Sequence, residues 1–412
     1  MNNSDIGADN AEMTPRVYYG WWIVAGLFFV LTISSGFGFY NLSVYMNVLA
    51  DTRGFAIADV SIAVSLFFVA GGVTGMWVAS LIRRFDLRWV MVGGAALGGS
   101  ALALIGHVTE LWQLYLVYAL FGIGNSGVSI VVATTLVTRW FPGPNRSVAL
   151  SIASTGLSMG GVLITPLSAW LLNRWGMETT IPWFGFAFFV LIVPIALWLI
   201  RAGPEAESKQ LTGVGPREIW RYREAIRSRF FVRLTAGYVL CMGAQVGGIA
   251  HLYNHADTLS GFEVAATAIQ ALTIMSIVSR FMGGWIVTRV TIRGFTLANL
   301  LNQSLGLLII ALADDVTLVL IGAAVFGSSI GNLLMLHPLW LAEAFGIHDY
   351  PRIFSLSNAV MVLGVAAGPV LLGVLYDAFD YWMAYFAAMG VSLVAFAVVY
   401  SAGKIPETNV DL

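Results

Sequence analysis

Charge is scarce in this 412-residue chain: 21 Lys and Arg with 22 Asp and Glu make up 10% of it, against roughly 25% in a soluble globular domain. A chain so poor in charge lacks the polar surface to coat itself in water. Hydrophobic residues fill 58% of the positions and mean hydropathy is +0.82, so a bilayer is the natural solvent. The signs nearly cancel, at a net −1, which removes a global basic field for nucleic acid. The single cysteine, Cys241, excludes disulfides and cysteine metal sites. Only two lysines occur, Lys209 and Lys404, and neither falls in an apolar run. No Walker loop, nucleotide fingerprint, zinc spacing or nucleophile elbow is present. An enzyme, an ATP-driven pump, a cofactor and a bound metal are therefore not expected. Met1 to Pro15 is polar and acidic, without the basic start and short apolar core of a cleaved signal, and reads as a cytoplasmic tail.

What the chain has instead is apolar runs, each near the ~20 residues needed to cross a hydrocarbon core. They fall at 19–46, 57–82, 89–107, 111–138, 146–172 and 181–200, then at 230–255, 263–289, 293–312, 316–342, 352–376 and 381–402. An all-α membrane protein with twelve transmembrane helices is expected, divided into a tail (1–18), a first six-helix bundle (19–200), a cytoplasmic linker (201–229), a second bundle (230–402) and a second tail (403–412). The linker opens with Gly203, Pro204, Glu205 and Glu207 and ends in arginines, among them Arg217, Arg221, Arg223 and Arg227. Attraction to an anionic leaflet explains that basic cluster more cheaply than nucleic acid does. With twelve crossings, eighteen of the 21 Lys and Arg fall on the side of the two tails. Arg53 and Arg174 fall on the other side, and Arg280 is left inside the membrane. This asymmetry predicts that both termini are cytoplasmic, and a bacterial inner (plasma) membrane is the expected location.

The two halves repeat. Gly75-Met76-Trp77-Val78-Ala79 before Arg83 and Arg84 matches Gly283-Gly284-Trp285-Ile286-Val287 before Arg289 and Arg293. Phe141 to Arg146 with Ala149-Leu150-Ser151 matches Phe345 to Arg352 with Ser355-Leu356-Ser357. Both pairs sit near one offset of 206–208 residues, as a duplicated six-helix unit requires. Basic loops after the second and eighth spans resemble the signature loop of the major facilitator family, and the resemblance implies that family's fold, two pseudo-symmetric six-helix bundles. Here the first copy runs Ala79 to Arg88, with Arg83 in place of the usual aspartate and Asp86 in place of the second glycine; the second has Thr288 for the aspartate. Arg83, Arg84, Arg88, Arg146, Arg289 and Arg352, with Glu343, are gate candidates at helix ends, the alternative being arginines that only set topology.

A finer resemblance is carried by Tyr19-Gly20-Trp21-Trp22, Arg139-Trp140-Phe141, the run Ala149 to Gly161, His251-Leu252-Tyr253, Ala265-Ala266, Ser279-Arg280, Ala342 to Gly346, Gly368-Pro369 with Gly373, and Leu375-Tyr376-Asp377. Together these resemble the branch of monocarboxylate transporters and oxalate:formate antiporters. It implies secondary transport of an organic anion whose carboxylate is held by an arginine at the position of Arg280. Departures limit it. The eleventh-span lysine of oxalate exchangers is replaced by an apolar residue, Val362 or Leu363, and the acid one turn before the arginine by Ser276.

The residues point to Arg280 independently. An arginine at the centre of a span costs at least about 2.5–3.5 kcal/mol in lipid, so it must face protein, water or a ligand. Thr273, Ser276, Arg280, Gly283 and Gly284 form one small, polar stripe at helical spacing, and a guanidinium there can take a carboxylate in bidentate fashion. The alternative is a structural arginine paired with a buried acid, yet Asp and Glu are absent from the interior of the other spans, Glu343 lying near a helix end. Further cavity candidates are Tyr40, Asn41 and Tyr45 in the first span, Asn125 in the fourth, Gln245 and His251 in the seventh, Asn332 in the tenth and Asn358 in the eleventh. Each has a structural alternative as an interhelical hydrogen-bonding group. The expected function is transport of a small carboxylate by alternating access in a monomer embedded in lipid. A coupled proton or counter-anion is left open. The competing readings are an exporter of lipophilic compounds and a non-transporting membrane sensor.

Overall fold

The computed structural model describes residues 18–141, 145–201, 222–346 and 349–405. The expected N-terminal tail and most of the linker, including Arg217 and Arg221, lie outside the described residues. The described chain is helical, with twelve helices long and apolar enough to span a membrane. They are α1 (Gly20–Arg53), α2 (Ile57–Arg84), α3 (Leu87–Ile105), α4 (Leu111–Val137), α5 (Arg146–Trp175) and α6 (Met177–Leu199). The second set is α7 (Arg229–Ser260), α8 (Phe262–Ile286), α9 (Ile292–Ala311), α10 (Val316–Phe345), α11 (Tyr350–Ala378) and α12 (Tyr381–Ser401). A short helix, Tyr222–Arg227, precedes α7 and carries Arg223 and Arg227. Twelve crossings put the start of α1 and the end of α12 on one side, called here the terminal face; the other is the distal face.

All twelve expected spans are present, but several boundaries move. Helix α1 runs seven residues past its apolar run, because Asp51 and Arg53 are polar without being helix-breaking. It stops at Gly54, whose φ of 68° is the left-handed conformation that glycine reaches without steric penalty. Helix α7 likewise continues to Ser260 and ends at Gly261, φ 84°. Helix α8 ends at Ile286, before the apolar run does.

The halves pack alike. Helix α1 lies on α5, α2 on α4, and α3 on α4 and α6; in the second half α7 lies on α11, α8 on α10, and α9 on α10 and α12. The closest crossings repeat too. A Cβ at Gly122 would collide with the Phe67 carbonyl of α2, and one at Gly327 with the Leu272 carbonyl of α8. Small residues at such points let backbones approach where burial of apolar surface gives no net drive. Across the halves, α2 meets α11 and α5 meets α8.

Two irregularities shape the interior. Residues Gly36–Tyr40 of α1 form a π-helical turn, which shifts the helical phase and re-aims the side chains of the turns beyond it. Helix α4 breaks after Ser126 and restarts at Ile130, where the Ser129 hydroxyl donates to the Ser126 carbonyl at 2.8 Å.

Candidate functional site

Between the halves lies a cavity of about 550 Å3 lined by α1, α2, α4, α5, α7, α8, α10 and α11. Helices α3, α6, α9 and α12 contribute nothing to it. Its inner end is formed by Tyr40, Gln245 and Ile249, and it extends toward the terminal face as far as Thr134 of α4 and Phe354 and Ser355 of α11. Phe39, Phe67, Phe68, Leu334 and Val362 make much of the wall apolar.

The distal side is sealed by bonds between the halves. The Asn47 amide donates to Asp257 at 3.0 Å, and the Ala58 N–H, at the start of α2, donates to the Asp377 carboxylate at 3.0 Å. Deeper in, Ser61 Oγ lies 3.3 Å from His251 Nε2, and Ser65 donates to the Ala366 carbonyl. Along α5 and α8 the Gln270 amide donates to the Val162 carbonyl at 3.0 Å, and the hydroxyls of Ser158 and Ser276 lie 3.4 Å apart.

Arg280 lines this cavity. Most of the stripe expected on α8 faces inward: Thr273, Ser276 and Gly283 are buried, while Ile274, Val278 and Phe281 face outward; Gly284, counted in the stripe, is instead exposed with open space beside it. Six residues, about 9 Å of helix rise, separate Arg280 from the end of α8, so it sits on the terminal side of mid-depth rather than at the centre expected from the longer apolar run. Its Nη1 donates to the Ser154 carbonyl of α5 at 3.1 Å, with the Ser154 hydroxyl at 3.4 Å. Its Nε is buried without a partner. Among the described residues the ion pairs are Arg53–Glu178 and Arg88–Asp86, so no carboxylate compensates Arg280.

Four other expected residues join it. Tyr40 is buried at the inner end, facing Ser158 and close to Arg280. Asn125 lines the wall and accepts a 2.8 Å hydrogen bond from Ser34. Gln245 is buried with its Oε1 unpartnered. Asn358 is exposed within the cavity wall.

The remaining four lie outside the cavity lining. Asn41 turns away and donates to Ser168 at 2.7 Å and to the Tyr45 hydroxyl at 3.3 Å, so both tie α1 internally and to α5. Tyr45 is fully buried. Asn332 donates to Asn299 of α9 at 3.1 Å, and His251 belongs to the distal seal. Asn41 and Tyr45 follow Tyr40 by one and five residues, about 100° and about 140° around the helix, so they point to a different face of α1.

The expected gates make no ion pair between the halves among the described side chains. Arg88 is 4.0 Å from Asp86 in its own loop, and Arg289 lies 3.5 Å over the ring of Trp285 on its own helix. Arg352 and Glu343 are exposed, and the side chains of Arg83, Arg84 and Arg146 lie outside the description. Sequence reasoning missed the aromatic wall and the Asp257 and Asp377 contacts. Phenylalanine is too common in a membrane chain to single out, and both aspartates sit at span ends where polar residues are expected anyway.

The major facilitator model matches residues 28–338. Monocarboxylate transporter 13 of Rattus norvegicus is 26% identical over 402 residues, covering 92% of this chain and 88% of that protein. The transcription regulatory protein OpdE of Pseudomonas aeruginosa is 26% identical over 409 residues, covering 94% and 95%. Two solved structures share the fold: a bacterial homologue of the human lysosomal transporter Spinster, inward-facing and unoccupied, with TM-score 0.70 at 15% identity and 96% of each chain covered, and the nucleoside transporter NupG, as a D323A mutant, with TM-score 0.71 at 13% identity, covering 93% and 100%. With a family match across most of its length and the corresponding twelve-helix architecture, this chain belongs to the Major Facilitator Superfamily.

Proposed function

We propose that the protein carries a small organic anion, a monocarboxylate, across the membrane by alternating access, with Arg280 holding the carboxylate. The observation that carries this reading is the guanidinium itself. It lines the central cavity, has no carboxylate within reach among the described residues, and rests on a neutral carbonyl. A buried cation without a counter-charge is costly, and a substrate carboxylate supplies that charge in the bidentate geometry arginine favours. Asn125, Gln245, Asn358 and Tyr40 supply further polar contacts, and the phenylalanine wall takes an apolar body. The volume of about 550 Å3 lies in the range of ~300–1,000 Å3 typical of small-molecule sites, so carboxylates with aromatic or branched bodies fit the class. The apolar residue at Val362 suits one carboxylate rather than two. The Lys and Arg asymmetry supports a cytoplasmic terminal face, toward which this conformation opens.

Uptake in proteoliposomes with a panel of labelled carboxylates, from short to aromatic, tests the reading. Arg280→Ala should abolish saturable uptake, and Arg280→Lys should retain it at roughly tenfold lower affinity, because lysine keeps the charge but loses the fork. Full uptake by the alanine variant would sink the proposal. A sensor is the second reading, favoured by the likeness to the transcription regulatory protein OpdE; carboxylate binding that depends on Arg280 without any flux would select it.

A further inference from the structure

A second polar cluster lies on the distal side of the cavity, around the last three turns of α7. Asn254 and His255, adjacent in sequence, both lie one turn beyond His251, and all three are buried, as is Tyr381 of α12. The Nε2 of His251 lies 2.9 Å from the Pro369 carbonyl of α11, and that of His255 lies 3.1 Å from the Ile310 carbonyl of α9. A carbonyl oxygen only accepts, so both rings carry their proton on Nε2 and leave a bare lone pair on Nδ1. Both Nδ1 atoms lack a partner, and the Tyr381 hydroxyl faces the Asn254 side chain without a close hydrogen bond. Two bare imidazole nitrogens beside a loosely held polar pair mark the cluster for a role beyond packing. Tyr381 stacks on Tyr376 at 4.1 Å and its ring lies 5.2 Å from the His255 ring.

The surrounding charges are of one sign. From α11 the facing groups are Tyr376 and Asp377, and from α12 they are Asp380, Tyr381 and Tyr385. Helix α1 adds Asp51, and α7 itself adds Tyr253 and Asp257. From α2 comes the Ser61 hydroxyl and from α9 the Ile310 carbonyl. Asp59 of α2 turns instead to Tyr115, 3.5 Å away, and Glu263 of α8 is exposed; Arg280 and Glu343 lie toward the terminal end of α8 and α10. Asp51, Asp257, Asp377 and Asp380 thus lie near the tyrosines at this distal mouth, Asp380 also near His255, while no residue set among those described suits a metal ion. A negative mouth over neutral bases attracts protons.

We propose that His251, Asn254, His255 and Tyr381 form a proton-binding site separate from the Arg280 cavity, and that proton occupancy opens the distal layer. A proton from distal water adds to an imidazole Nδ1 lone pair, within the cluster that the Asn254 and Tyr381 side chains complete. No carboxylate forms an ion pair with either ring, so in the sealed layer that charge is uncompensated and poorly solvated. The protonated site therefore favours the arrangement that admits water. His251 transmits the change directly, since the same ring nitrogen that meets Pro369 also meets Ser61 of the other half. The neutral site corresponds to the sealed distal face of this structure. This proposal concerns which face is open and does not depend on the identity of the cargo.

The test uses the full chain in lipid nanodiscs with spin labels at His107→Cys and Asp314→Cys, exposed positions in the matching distal loops of the two halves. Cys241 is fully buried and stays unlabelled. Distances across the distal face are read by pulsed electron resonance over about pH 5 to pH 8, the range in which histidine titrates. The parent pair should show a distal-open population that grows at least roughly fivefold toward acid. Combining His251→Gln with His255→Gln should hold the distal-closed distance at every pH. A parent without pH response, or a double variant that keeps the full response, overturns the proposal. If the double variant fails to insert, Tyr381→Phe keeps the ring stack and removes only the hydroxyl; its midpoint should move, and an unmoved midpoint overturns the proposal equally.

Discussion

Replacing Asp377 with alanine should unseal the distal face by a calculable amount. The carboxylate accepts the Ala58 N–H at 3.0 Å and so caps α2 from the opposite half. Loss of a helix cap costs about 0.5–2 kcal/mol, and a negative charge at a helix N-terminus adds about 0.3–1 kcal/mol when exposed. Asp377 is exposed, so water competes for the N–H and the lower end applies, near 1 kcal/mol in all. Because the bond joins the halves, the loss enters the equilibrium between distal-closed and distal-open forms rather than the stability of either bundle. A change of about 1 kcal/mol is roughly a fivefold shift in that equilibrium. Pulsed electron resonance across the distal loops reads it directly, with Asp377→Asn as the discriminating control, since asparagine caps about as well as aspartate. Asp377→Ala should enlarge the open population about fivefold while Asp377→Asn stays near the parent. Equal behaviour of the two variants would refute the capping argument, and so would an unchanged distance distribution in the alanine variant.

Asn47→Ala removes the separate Asn47–Asp257 bond, and its effect on the same distances should add to that of Asp377→Ala, as for independent sites. Gly122→Val and Gly327→Val place side chains against the Phe67 and Leu272 carbonyls; each should lower stability by about 1–3 kcal/mol, seen as a lower thermal midpoint in detergent, and an unchanged midpoint in either would contradict the close crossing. Val362→Lys puts a second cation in the cavity wall and should shift uptake toward dicarboxylates by about tenfold. Leu363→Lys, on the outward face, should leave that ratio alone, so equal effects would argue against the assigned wall.

The twelve spans were legible because a helix in lipid must satisfy its backbone internally and be apolar for its whole crossing. The repeat was legible for a related reason: the same close crossings recur in each half and demand small residues at matching positions. Helix ends were less legible. Hydropathy stops at Met46 or His255, whereas the helices continue to glycines that can take a positive φ. At the site, Arg280 stands out because a charge in an apolar run has few physical excuses, and Val362 rather than Leu363 is resolved as the wall residue only by the rotation of α11. Asn41 and Tyr45 form an i, i+4 pair on a face of α1 other than that of Tyr40, and which polar face meets the cavity is decided by packing, which spacing does not reveal. The sequence pairs His251 with His255 at i, i+4 and marks His251 by its match to the branch pattern. Its partners Asn254 and Tyr381 come from a later turn and another helix, and the sharing of one imidazole nitrogen between two halves of the molecule has no signature in spacing.

The neutral rest that Ser154 offers Arg280 also bears on how voltage acts on the protein. An arginine held against a carbonyl keeps its full positive charge, so under the proposed function the empty carrier is the charged species and the loaded carrier, with a carboxylate on the guanidinium, is neutral at that depth. A transmembrane potential exerts about 2.3 kcal/mol per elementary charge per 100 mV over a complete crossing, and a rocking motion moves the site through only part of that field. The potential then weights which face the empty protein presents and leaves the cargo-bearing step nearly untouched. Resting voltage would work as a return spring, drawing the unloaded site toward the negative side of the membrane.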